Sequence, residues 1–329
     1  MIRNVACGIA VLTVTASACN GSGSHGATPA AATTTTASPL VTPDQARAAV
    51  LAVSAVNHEV NSTLDIAKQD TIEAGVAQFQ GDAVFRGWRA EGFTSFPPGY
   101  PNFTDVVTSV FVPRQTTYPA IFLAYIVQQP DRPGPAYAAY ALLSRDSPAS
   151  NWRLEAIAGA GPPGTLAAPI LVDPDGYTER RSADQVAPAA ANLHDRSQGF
   201  AASVIQGQPP PPGVLLTAGV AQNTASAASS IRGQIVTSAW KVAPEFVLNI
   251  AFPTTDNRFL VFDILRGTDT FAYPTPQTIV PSSNDPFIRR GQYHKLVHDD
   301  IAIIIGLTGA GMPLTIVGYN FQTVDGHGE

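Results

Sequence analysis

Cysteine is nearly absent from this chain: there are two in 329 residues, Cys7 and Cys19. Cys7 lies in a segment expected to be removed, so the mature chain can close no internal disulfide and must be held by its core. Charge is scarce too, at 13% of residues against about 25% in an ordinary soluble domain. The net charge is −6, and the nearest approaches to a basic run are Arg180-Arg181 and Arg289-Arg290. That excludes a nucleic-acid partner, whose binding needs clustered Lys and Arg. No apolar stretch free of charge and proline reaches the ~20 residues that a membrane-spanning helix needs. Also missing are G-x-S-x-G, a P-loop, and G-x-G-x-x-G after a strand.

What is present begins at the N-terminus. Met1 to Asn4 carries one basic side chain, Arg3, and Val5 to Thr15 is apolar apart from two threonines. Ala16-Ser17-Ala18 closes the segment with small residues. Basic start, apolar middle and small-residue end are the order of a secretory signal, 1–18, cut after Ala18. Two peptidases fit that cut. Ala16-Ser17-Ala18 is an A-x-A site, and Ala16-Ser17-Ala18-Cys19 has the form of a lipobox with Ala in place of the usual Leu or Val. An ordinary exported product would begin with an exposed thiol in an oxidising compartment. Lipidation at Cys19 is therefore expected, with a plain secreted chain as the alternative. Residues 19–41 lack acid, Lys and Arg and have almost no large apolar residue, so they read as a disordered tether.

Residues 42–329 are long enough for two domains and, at 45% hydrophobic residues overall, for a large core. Thr42-Pro43-Asp44-Gln45 has an N-cap Thr, a Pro at the first helical position and Gln at the third. Val50, Val53, Val56, Val60 and Leu64 then place one apolar stripe on a helix ending near Asp65. A short helix is expected over 71–79, then strands over 106–112, 120–127, 136–143 and 152–158. The second half repeats the plan, with a helix over 183–206, a weaker one over 217–231, and strands over 238–252, 258–265, 293–306 and 313–324. "VFVPRQTTYPAIFLAYI" (110–126) also resembles "NIAFPTTDNRFLVFDIL" (249–265).

These patterns predict an α+β fold of two similar domains, 42–180 and 181–329. In each, an N-terminal helix packs on a curved antiparallel sheet, similar to the NTF2-like and cystatin-like architecture. The boundary is expected between Ala160 and Ala183.

Several stretches carry a family resemblance. Trp152-Arg153-Leu154, a Pro-rich crossing, Asp173-Pro174-Asp175-Gly176-Tyr177 and a helix near Leu193-His194 follow one another here. The chain resembles a family of uncharacterised actinobacterial lipoproteins with this order. The resemblance implies location and domain type, and no activity.

Candidate chemistry is thin. His294 and His298 are four apart, about 6 Å of rise on a helix but about 13 Å along a strand. Their run flows into Ile301 to Ile305, so a strand is predicted and a shared metal is not. Asp173-Pro-Asp-Gly-Tyr177 opens like a calcium loop but lacks the closing Glu, and reads as a turn. His58, with Glu59 and Asp65, would suit a general base and partner only if both faced a pocket. Phe93, Phe96, Tyr100 and Phe103 either pack on the core or line a pocket. No catalytic residue, cofactor or metal site is predicted.

The expectation is a non-catalytic lipoprotein on the outer face of the cell membrane, held by its N-terminal lipid and binding a protein or cell-wall component. The alternative is an enzyme or small-ligand carrier with an NTF2-like pocket. Intact mass of membrane-extracted protein should show a diacylglyceryl or heavier adduct on a chain starting at Cys19; an unmodified chain in the medium would contradict lipidation.

Overall fold

The computed structural model describes residues 38–329 other than 99, 165–168, 231–234, 247, 273–277, 279–286 and 289–290. Cys19 and the signal segment lie outside the described residues. Ser38–Glu329 is one compact unit. Its packing begins before residue 42, where the tether was expected to end. The Leu40 amide donates to the Gln115 carbonyl at 2.8 Å, and Val41 is buried.

The first helix, α1 (Pro43–Asn61), forms as its sequence dictates. Thr42 accepts from the Gln45 amide at 3.2 Å, and the Gln45 side chain accepts from the Thr42 amide at 2.9 Å. Next come α2 (Ile66–Gln69) and α3 (Gly75–Ala90). The expected helix over 71–79 is displaced, because 72–74 is extended and bonds to Leu154 through two backbone bonds of 2.8 Å. Gly75, at φ +56°, then starts α3.

Four strands follow: β1 (Phe103–Pro113), β2 (Ala120–Pro130), β3 (Tyr137–Arg145) and β4 (Arg153–Gly161). The chain continues through β5 (Tyr177–Thr178), α4 (Ala183–Val186), α5 (Leu193–Gln206), β6 (Val214–Leu216) and α6 (Ala218–Ser230). The single helix expected over 183–206 is two, because Pro188 has no amide to continue the ladder. The last strands are β7 (Ile235–Val242), β8 (Ala251–Pro253), β9 (Phe259–Ala272), β10 (Lys295–Thr308) and β11 (Leu314–Gly328). The expected strand 238–252 is interrupted by a 3-10 turn at Pro244–Phe246, since proline cannot donate to a ladder.

All these strands join one sheet in the order β5-β1-β2-β3-β4-β11-β10-β9-β7, with β6 on β11 and β8 on β9. Pairing is antiparallel except for β1–β5 and β6–β11. The two strand sets meet at one registered pair, Gly159 opposite Tyr319. Each set has a register shift at a corresponding place. Leu142 and Leu143 face Ala156 and Leu154, leaving Glu155 out. Ile305 and Gly306 face Gly318 and Ile316, leaving Val317 out.

Alternate strand residues feed different cores. Phe122, Ala124 and Ile126 pack with Val50, Val53 and Val60 of α1. Val261, Leu265, Ala302 and Ile304 pack with Leu193, Phe200 and Val204 of α5. The opposite faces share a single cluster: Leu123, Tyr140 and Leu142 from the first set join Phe262, Ile264, Ile303 and Ile305 from the second. The expected boundary at residue 180 falls between the α1 cluster and the α5 cluster, while the third cluster draws on both sides of it. The α+β class and the mostly antiparallel sheet are as expected.

One packing detail fixes β7 against β9. Trp240 lies opposite Gly267, and a Cβ on Gly267 would sit 2.5–2.6 Å from three indole ring atoms. The Trp240 indole N–H donates to Ser238 Oγ at 2.6 Å, and the ring meets Phe321 edge-on. Gly267→Ala should cost about 1–3 kcal/mol by overpacking and blunt the near-ultraviolet Trp signal; a denaturation midpoint equal to wild type would contradict this packing.

Candidate ligand-binding cleft

A cleft of about 830 Å³ opens between α1, α3 and the strands at the join. Its floor includes Leu154, Ile157, Gly159 and Gly161 of β4 and Tyr319, Asn320 and Gln322 of β11. One wall is α3, through Ala77, Gln80, Gly81, Val84, Phe85 and Trp88. The other is α1, through Asn57 and Asn61. A narrower cavity of about 40 Å³ adjoins it and shares Asn57, Glu73, Gln128, Leu154 and Ile157 with it.

Glu73 occupies the depth of both cavities. It is 7% exposed, on the extended 72–74 segment that the Leu154 backbone bonds hold in place. The Gln69 side-chain amide donates to Glu73 Oε2 at 2.7 Å. Gly81 makes room for the pair: a Cβ there would lie 1.9 Å from Gln69 Nε2 and 2.6 Å from Glu73 Oε2. Burial, reinforced by Asp82 and Asp70 nearby, raises the Glu73 carboxyl to about 8 against the opposing Gln69 bond. It is thus mostly protonated at neutral pH.

Asp105 lines the inner cavity and is likewise raised by burial, opposed by bonds from Ser54 and Gln128. Gln80 donates to the Ile301 carbonyl and accepts from Asn320 Nδ2, both at 3.2 Å, which ties α3 to β10 and β11. Two buried polar atoms of the lining, Gln69 Oε1 and Trp88 Nε1, have no partner among the described residues. Buried polar atoms are normally satisfied, so these two stand out among the residues of the cleft wall. Phe85, Trp88, Phe96 and Tyr100 pack mostly edge-on at centroid distances of 4.8–6.4 Å. Tyr319, also in the lining, is raised to about 12 by burial.

The residues singled out from the sequence fare differently. His58 and Asp65 are not brought together. His58 Nδ1 lies 3.5 Å from the Phe103 carbonyl, and Asp65 caps α2 by accepting from the Lys68 amide. The cleft instead receives Asn57 and Asn61, on either side of His58 in the helix. Glu59 pairs with Lys68.

His298 lies within β10 and His294 just before it, as the strand reading expects. Asp173-Pro-Asp-Gly-Tyr177 is a turn: Asp173 Oδ1 accepts from the Asp175 and Tyr177 amides, and Gly176 sits at φ +84°. Both carboxylates are held by Arg114, at 2.8 and 2.5 Å, and its guanidinium covers the Tyr177 ring. The aromatic loop does both things weighed for it, since Phe96 and Tyr100 pack on the α1 core and also line the cleft with Phe103.

Glu73, Gln69, Gln80 and Asn320 were not singled out. The available signal was polarity at inward helical positions: Gln80 follows Glu73 by seven residues, among Val76, Ala77, Val84 and Phe85.

Helices packed on a mostly antiparallel sheet, with an amide- and aromatic-lined cleft at the join of the strand sets, define an α+β protein. The chain belongs to the family described as "Domain of unknown function (DUF8094)", which matches residues 37–328. No curated protein and no solved structure matches it.

A carboxyl whose pKa is higher in the folded than in the unfolded chain stabilises most at low pH, and that stabilisation is lost as pH rises through the folded value. For Glu73 the window runs from about 4.5 to about 8. Asp269, buried beside Asp300, is raised to about 8 as well and slopes the same way. The urea midpoint should therefore fall from pH 5 to pH 8, and fall less in Glu73→Gln; equal slopes in the two proteins would contradict a buried neutral Glu73.

Proposed function

We propose that this protein is an extracytoplasmic lipoprotein, anchored through lipid on Cys19, that captures a small neutral component of the cell envelope in its cleft without transforming it. The observation that carries the binding reading is the cleft itself, with Gln69 Oε1 and Trp88 Nε1 buried in its wall without partners. The location rests on the N-terminal pattern and the lipobox-like Ala-Ser-Ala-Cys.

In this reading the chain consists of two NTF2-like halves made by duplication. Three things support it. Helices precede a four-strand meander in each set. Leu142/Leu143 and Ile305/Gly306 shift register at matching points. The last strands of the two sets pair antiparallel through Gly159 and Tyr319, as a local two-fold axis would have them. The copies have diverged: the first keeps an open cleft, while Phe200, Trp240 and Phe321 fill the helix-facing side of the second.

A second reading, a catalytic cleft, has one observation in its favour: Glu73 and Asp105 line the same inner cavity, and burial raises both.

Membrane-extracted protein under non-denaturing mass spectrometry should carry a small organic molecule that is released unchanged on denaturation. Gly81→Ala, which drives Gln69 and Glu73 into the cleft, should lose it while keeping a cooperative melt. Protein that is empty in every preparation, and whose melt no envelope extract raises, would refute the binding reading. A released molecule chemically altered from the form supplied would favour catalysis.

A further inference from the structure

The geometry points to a neutral carbohydrate as the ligand of this cleft, held by amide side chains and aromatic rings. This inference rests on the ligand-binding reading above and narrows it to a chemical class.

The first argument is from charge. Among the described residues the lining contains no Lys, Arg or His. A phosphate, sulfate or carboxylate group would enter the cleft without the cation that normally receives it. A cationic ligand would have a single carboxyl of the lining to meet, Glu73, which is 7% exposed and already accepts from Gln69. What remains is a neutral ligand.

The second argument is from hydrogen bonding. Asn57, Asn61, Gln69, Gln80, Asn320 and Gln322 bring amides to the cleft from α1, α2, α3 and β11. An amide has two donor hydrogens and an acceptor, and part of that capacity is already used: Asn61 bonds Asn102, Gln69 bonds Glu73, Gln80 bonds Ile301 and Asn320, and Gln322 bonds the Thr323 carbonyl. A sugar hydroxyl also donates and accepts, so a ring with several hydroxyls can satisfy such a surface from many directions. A hydrocarbon ligand would cover the amide atoms that these bonds do not use, at a cost of about 1–3 kcal/mol each.

The third argument is from shape. Phe96, Tyr100, Phe103 and Tyr137 add partly or well exposed rings to the lining, and ring faces suit the C–H faces of a pyranose. A peptide would more naturally add to a free strand edge. The edge strands here, β5 and β7, contribute nothing to the lining. The volume, about 830 Å³, suits an oligosaccharide rather than a single small ring.

The test is calorimetric titration of the processed full-length protein with three panels. One holds neutral di- and trisaccharides built from glucose, mannose, galactose and N-acetylglucosamine. The others hold capped neutral tripeptides and long-chain alcohols. At least one saccharide should bind with Kd below about 1 mM. Gln322→Leu, at a half-buried position, should weaken that binding about tenfold, and so should Asn320→Leu, which also removes the bond to Gln80 and is therefore checked for a cooperative melt. Gln69→Leu should do the same if its melt stays cooperative. Saccharide binding unchanged in Asn320→Leu and Gln322→Leu overturns the inference, because the sugar then sits elsewhere. Tripeptides or alcohols binding in a variant-sensitive way, with no saccharide doing so, overturns the carbohydrate class but leaves the binding cleft standing. If nothing from any panel binds in a variant-sensitive way, both readings fall.

Discussion

The arrangement depends on one close backbone approach, where β4 meets β11. Only Gly159 and Tyr319 are in register there, yet this contact makes one sheet of two strand sets. Small residues permit it. A Cβ on Gly318 would lie 3.3 Å from the Gly159 carbonyl oxygen, and one on Gly161 would lie 2.6 Å from Gly219 Cα at the start of α6. Gly161 also holds φ +98°, a conformation that side chains disfavour. Bulk at this seam would push the strands apart and pull open the shared core of Leu142, Phe262 and Ile303. The same seam forms the floor of the cleft, so the site exists because the two strand sets are joined.

Polar residues around the cleft show how stability and binding are balanced. Gln80 is buried in α3, where an apolar residue would pack at less cost. Its bonds to Ile301 and Asn320 offset that cost and hold α3 over the seam. Glu73 is held in its buried place by the two backbone bonds to Leu154 and by Gln69. In the other strand set, Asp269 and Asp300 show a different solution: two carboxyls share one buried place, and Ser238 donates to Asp269. The first arrangement faces a cavity and the second is closed within the strands.

Local chemistry made part of this fold legible from the sequence. The capping box at Thr42 and Gln45, the valine stripe of α1, the continuous runs of β2 and β3 and the alternation of β11 are each decided by nearby residues. What misled was also local, once seen: Pro188 divides a helix, Pro244 interrupts a strand, and the extended 72–74 segment delays α3. The cleft was illegible for a different reason. Its polar groups come a few at a time from α1, α2, α3 and β11, separated by more than 200 residues between Asn57 and Asn320. Only the pairing of β4 with β11 brings them together, and that pairing has no signature beyond glycine.

The place where the folded unit begins has a consequence for how the molecule presents itself. Leu40 is bonded to Gln115, just beyond the C-terminal end of β1, whereas Phe103 at the opposite end of the same strand borders the cleft. At ~3.3 Å per residue, the strand separates these points by roughly 30 Å. The described chain therefore enters the unit near the C-terminal end of β1, away from the end where Phe103 borders the cleft.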